Sequence, residues 1–268
     1  MKNGVFMEIY LGELPIGYIS FSGKDLLPSW AITHYLEQFC INHMKLVTIQ
    51  KICYLASQGV PDSIFYVSSQ SAEIYPNKLF KDKKYDNTIG YFDTPSVMEY
   101  SEDDNSNILI KSSSKKSENN LVETSKNEDA AYFWYIIQNY KRPIVLIKDG
   151  DKKIPLYDFS SNEATKIWNL KVQSPPEGII RGALGAAIDL VQAHIEDERE
   201  KNEYINRQLG QSVRNLEDIV RASQCINNPN TPEGVRAYAN QALSQILKRQ
   251  ADINNKIGIT NIRIDTTI

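Results

Sequence analysis

Cysteine is scarce in this chain of 268 residues. Cys40, Cys53 and Cys225 are odd in number, widely spaced and matched to no paired-cysteine pattern, which argues for reduced thiols and against a disulfide framework or a thiolate metal site. No apolar run approaches the length of a membrane helix or a signal sequence, so a cytoplasmic protein with no membrane span is expected. An excess of positive charge is also missing. The net charge of -3 excludes a surface devoted as a whole to nucleic acid or anionic lipid. Arginine is nearly absent from the first two thirds, where Arg142 is its one occurrence before Gln173, whereas Arg181, Arg199, Arg207, Arg214, Arg221, Arg236, Arg249 and Arg263 follow. That switch suggests a boundary near Ser174. Abundant lysine, asparagine, isoleucine and tyrosine match the residue usage of an AT-rich coding sequence, which hints at a bacterial or phage source.

What is present is helical punctuation towards the C-terminus. Pro175-Pro176-Glu177 suits a helix start, because proline fixes φ for a first turn and a carboxylate complements the positive end of the dipole. From there Leu184, Ile188, Val191, Ile195, Ile205, Leu209, Leu216 and Ile219 recur at spacings of three and four, a narrow coiled-coil-like seam with a polar middle. Asn227 and Pro229 supply a stop, and Thr231-Pro232-Glu233 opens a second helix. Its stripe (Val235, Tyr238, Ala239, Ala242, Leu243, Ile246, Leu247, Ile253, Ile257) is broader, and Gly258 ends it. A helix over 177–225 would run roughly 70 Å and the return helix over 232–257 about half that. The seam through Leu184, Ile188, Val191, Ile195, Ile205 and Leu209 must therefore bury against the N-terminal region, a bend or extra turn of the chain, or another copy, and self-association or docking of a protein partner through it is the expectation.

The N-terminal part reads as strands and helices. Val5 to Leu11 and Ile16 to Phe21 form a hairpin about Gly12-Glu13-Leu14-Pro15. Pro28-Ser29 opens a helix with Ile32, Tyr35, Leu36, Phe39 and Cys40 on one face, ending about His43. Leu46 to Leu55 is β-branched at its start but carries Ile49, Ile52 and Cys53 at helical spacing, and of the two readings a strand running into a turn at Gly59 is the one favoured. Ile64 to Ser68 and Thr88 to Phe92 are further short strands. Ser101 to Asp129 is polar and reads as a mobile loop. Ala130 to Tyr140 is an aromatic helix, apolar on most sides. Pro143 to Ile147 and Ile154 to Phe159 flank Asp149-Gly150-Asp151-Lys152 as a second hairpin. Ser160 with Glu163 caps a short helix carrying Ile167, Trp168 and Leu170. The fold expected is thus α+β: a domain over 1–172 with a mixed sheet and helices, followed over 173–268 by a long helical hairpin and a short tail.

Four groupings bear on chemistry. His34, Cys40 and His43 share one helix, and a cysteine beside a histidine is the raw material of an activated thiolate, although no acidic orienter lies nearby in sequence. His194 with Asp197 and Glu198 has the spacing of helical carboxylate–histidine metal ligands, yet it sits in a charged run that reads equally as a solvated face and has no second copy. Gly178, Gly182 and Gly185 have the glycine content of a phosphate-binding helix start, but proline replaces the preceding strand and no lysine-serine or lysine-threonine follows. Close packing of a helix against Gly178, Gly182 and Ala186 explains the spacing better. Tyrosines interleaved with Lys78, Lys81, Lys83 and Lys84 have the composition for stacking on and neutralising a single-stranded nucleic acid, while core and sheet roles with a polar tip are the ordinary use of tyrosine. None of these defines a catalytic, cofactor or metal site. The expectation is a non-enzymatic, oligomerising sensor, adaptor or binding protein that requires no cofactor and self-associates or docks a partner through its hairpin. The alternative is an enzyme or toxin-like effector of a bacterial conflict system, with its site in the N-terminal domain near the 101–129 loop.

Overall fold

Between Pro28 and Gly59 neither glycine nor proline interrupts the chain, and the computed structural model of the protein places a single helix there, α1 (Ser29–Ser57). It describes residues 14–23, 27–71, 88–90, 122–159, 161–171, 176–199 and 221–265. The expected break at His43 and strand over Leu46 to Leu55 are corrected. Every residue from Ile41 to Cys53 is buried, and burial on all sides outweighs the modest strand preference of Val47, Thr48 and Ile49. Thr48 returns its hydroxyl to the Met44 carbonyl at 2.9 Å, the usual accommodation of threonine in a helix. The helix stops in a Schellman arrangement: Gly59, at φ 80°, donates to Ala56, and Val60 donates to Leu55.

Two four-stranded antiparallel sheets accompany this helix. The first is ordered β6 (Lys166–Lys171), β7 (Glu177–Ala183), β1 (Ile16–Gly23) and β8 (Ile259–Asp265). The second is ordered β3 (Thr88–Gly90), β2 (Phe65–Ser71), β4 (Pro143–Asp149) and β5 (Lys152–Pro155). β4 and β5 form the expected hairpin, with Asp149 paired to Lys152 and Gly150 at φ 60° in the turn. The aromatic helix is α2 (Val122–Asn139), which places Phe133, Trp134, Ile136 and Ile137 fully inside. The remaining α-helices among the described residues are α3 (Leu184–Arg199), the short α4 (Ala222–Ile226) and α5 (Glu233–Ile257), the last ending at Gly258 with φ 75° as its sequence signals.

The C-terminal third departs most from expectation. Glu177–Ala183 is strand, not the first two turns of a long helix, because it lies in register between β1 and β6. Two glycines expected at helix-packing positions have strand roles: a Cβ on Gly178 would lie 2.4 Å from the Phe21 ring, and one on Gly182 would lie 3.0 Å from His43 Nε2. The expected short tail is β8, on the other side of β1. Strands from both sides of the boundary expected near Ser174 therefore share one sheet. The short helix expected after Ser160 is instead strand β6, which is at the edge of its sheet among the described residues. The expected strand Val5 to Leu11, most of the 101–129 loop and residues 200–220 lie outside the described residues.

Helix α3 packs against α1 and α5. Leu184, Ile188 and Val191 are each about 1% exposed and belong to the main core with Ile19, Tyr35 and Ala239. Three of the six seam residues are thus covered by the chain itself. The side chain of Ile195, and Ile205 and Leu209 altogether, fall outside the description.

Candidate docking face

Polar groups buried around α1 are the natural first place to look for chemistry, and several of them hold one element to another. His43 donates from Nε2 to the Ala183 carbonyl at 2.8 Å, clamping α1 to the end of β7. Its Nδ1 is buried and finds no hydrogen-bond partner among the described residues. Burial drives the imidazole pKa down to about 4, against the smaller opposing effect of that hydrogen bond, so the ring is neutral at ordinary pH. Cys40, one turn away, has its thiol pushed up, first by burial, with the Thr165 hydroxyl pulling the other way. A raised thiol beside a neutral imidazole is the reverse of an activated thiolate pair. His34 is exposed on the same helix.

The other buried ions hold elements together. Lys51 pairs with Glu163 and donates to the Leu156 carbonyl at 3.0 Å, while Glu163 accepts from the Ala183 amide through its own carbonyl. Lys45 and Arg249 both donate to the Gln138 carbonyl, so two cations meet the negative end of α2. Burial, then the neighbouring Arg249, lowers the Lys45 pKa to about 7. Asn42 donates to Gln250, which donates to Asn254, joining α1 to α5. Asp189 accepts from the hydroxyl and amide of Ser223 and so ties α3 to the start of α4. A concavity of about 520 Å³ beside it is lined by Gln192, Arg221 and Asn227 among others, and Arg221 already donates to Gln192. Among the described residues no group of three or more potential metal ligands converges, and the side chains of His194, Asp197 and Glu198 lie outside the description.

The outer face of the first sheet is different in kind. Along β1, Ile19 and Phe21 point into the core while Tyr18, Ser20 and Ser22 point outward. Registered beside them on β7 are Arg181, Ile179 and Glu177, and beyond those on β6 lie Lys166, Asn169 and Lys171. The register slips between Ile167 and Asn169. A bulge of this kind re-aims a side chain, and here Trp168 meets Tyr18 edge to face, with ring centres 5.7 Å apart. Trp168 nevertheless remains 58% exposed and Ile167 54%. Next to this aromatic pair a shallow concavity of about 370 Å³ is bounded by Ser20, Ser22, Asn169, Lys171, Glu177 and Ile179. Its volume lies at the lower end of ligand-binding clefts. Lys171 reaches Glu177 at 3.7 Å, and Arg181 donates to Asn162 at 3.4 Å. Among the described residues the other exposed large apolar groups are Trp30 and Tyr54, both on α1.

Sequence reasoning picks out none of these face residues as a site. The segment Lys166-Ile167-Trp168-Asn169-Leu170-Lys171 has the signature of an edge strand, with lysine at both ends, but its apolar spacing also fits a helix face. The tyrosine-lysine grouping around Lys78 to Lys84 lies outside the described residues. Comparison with family models, with curated protein sequences and with solved structures finds no match. Among the described residues, no helix is long and apolar enough to cross a membrane.

Proposed function

We propose that this chain is a non-enzymatic binding protein, a cytoplasmic sensor or adaptor, that engages its target through the outer face of the β6-β7-β1-β8 sheet. The observation that carries the proposal is Trp168, more than half exposed on an edge strand yet oriented by Tyr18 beside a polar concavity. A large ring left in water is a standing opportunity for a partner, and rings held in one pose lose little conformational freedom on binding. Self-association or docking through a C-terminal hairpin, the surface expected from sequence, would have to run through Ile195, Ile205 and Leu209, because Leu184, Ile188 and Val191 are committed to the chain's own core.

Photocrosslinking inside cells tests the proposal. Benzoylphenylalanine at position 168 should give a discrete adduct that is lost in a Tyr18→Ser, Lys171→Glu background. The same probe at Trp30, more exposed still but on α1, should give none. Indistinguishable products from the two positions would remove the case for this face.

A further inference from the structure

We propose that the docking face takes single-stranded nucleic acid, with a base stacked on Trp168 and adjacent phosphates held by Lys166, Arg181 and Lys171; this rests on the binding function proposed above and specifies its ligand. Three features converge on that chemistry. The first is the ring itself: Trp168 offers an exposed π-face, and its edge-to-face contact with Tyr18 fixes its attitude. Base stacking on such a ring tolerates any sequence, because every base has a π-face. The second is charge. Lys166 and Lys171 sit two residues before and three residues after Trp168 on the same strand, and Arg181 lies opposite Lys166 in the register. Cations on both sides of a stacking ring match a backbone that carries a phosphate on each side of every base. The third is the concavity, where Ser20 and Asn169 place a hydroxyl and an amide that suit the hydrogen-bonding edge of an unstacked base.

The same features disfavour the competing occupants. A duplex keeps its bases stacked inside and shows Trp168 no π-face. A peptide adding as a fifth strand needs a regular edge, whereas β6 carries a bulge at its middle and a lysine near each end, features that blunt edge pairing. Glu177 works against a polyanion, but it is drawn towards Lys171 at 3.7 Å, so binding must displace that contact. Neutralising Glu177 should therefore strengthen binding.

The test is fluorescence anisotropy of a labelled twelve-residue oligothymidylate with the full chain, compared with the same oligonucleotide in duplex form and with inorganic polyphosphate as competitor. Trp168→Ala should weaken binding by roughly 5- to 140-fold, the equivalent of losing one stacked base. Glu177→Gln should tighten it. With three cations engaged, the logarithm of affinity should fall with the logarithm of salt at a slope of about -2. The near-ultraviolet circular dichroism of each variant should retain the signal of buried Trp134, which separates loss of binding from loss of fold. Absence of binding in low salt, unchanged affinity of the Trp168→Ala variant, or equal competition by polyphosphate would each overturn the inference. A protein adduct from position 168 in cells alongside any of these results would leave the docking face standing and refute nucleic acid as its ligand.

Discussion

Replacing Ile188 by alanine separates two uses of the same helix face. Ile188 lies in the middle of the α3 face, about 1% exposed and in one cluster with residues of β1, α1 and α5. Truncating a large aliphatic side chain in such a place removes its transfer free energy and leaves a cavity, typically 2–5 kcal/mol in all, with about 3 kcal/mol expected at an ordinary core site. In a chain of this size each 1 kcal/mol lowers the melting temperature by about 2–4 °C, so the variant should melt roughly 6–12 °C below the parent. Calorimetry over a hundredfold range of protein concentration is the assay. Because the residue is covered by its own chain, the deficit should be the same at every concentration, and light scattering should report the same mass for both proteins. A deficit that grows on dilution, together with a lower mass for the variant, would show that Ile188 is covered by another copy and would refute the intramolecular packing.

Other consequences are independent of that one. His43 has a folded pKa near 4 because burial disfavours its charged form, against an ordinary 6.5. The unfolded chain therefore binds more protons between these values, and stability should be intact above pH 6.5 and fall by roughly 3 kcal/mol as pH drops towards 4; urea unfolding of His43→Gln should show a shallower loss across that window. Gly178→Val should destabilise by about 1–3 kcal/mol through collision with the Phe21 ring, relieved in part by Phe21→Leu, as a double-mutant cycle would show. A chain ended after Gln173 loses β7 and β8 from either side of β1, and so should not retain the near-ultraviolet signal of Trp134 that a separate folding unit would keep.

Legibility in the sequence follows the range of the interaction. Stops written into one or two residues are readable: Gly258 after α5, Gly150 between β4 and β5, and the aromatic density of α2 all correspond to the observed elements. Segments whose state depends on distant partners are not. Glu177–Ala183 follows two prolines and runs into a helical periodicity, so it looks like a helix start, and only pairing with β1, more than 150 residues earlier in sequence, makes it a strand. The second half of α1 misleads in the opposite direction, because its β-branched residues sit in a stretch buried on every side, where no one-sided pattern marks a helix. Yet the absence of any glycine or proline between Pro28 and Gly59 is a usable signal for a continuous helix. The seam on α3 is legible as something that must be covered, but which surface covers it depends on α1 and α5 and has no local signature. The docking face is hidden for a related reason: Trp168 and Arg181 lie on consecutive strands but Tyr18 comes from the far N-terminal part of the chain, and only the sheet register gathers them.

Hydroxyl-radical footprinting, performed on the protein inside cells and again after purification, bears most directly on the claim that the outer face of the first sheet is where this protein meets its target. Trp168 and Tyr18 should be oxidised readily in the purified protein and protected in cells, whereas Trp30, exposed to 72%, should be oxidised to the same extent in both. Equal oxidation of all three in both settings, or protection confined to Trp30, would contradict the assignment.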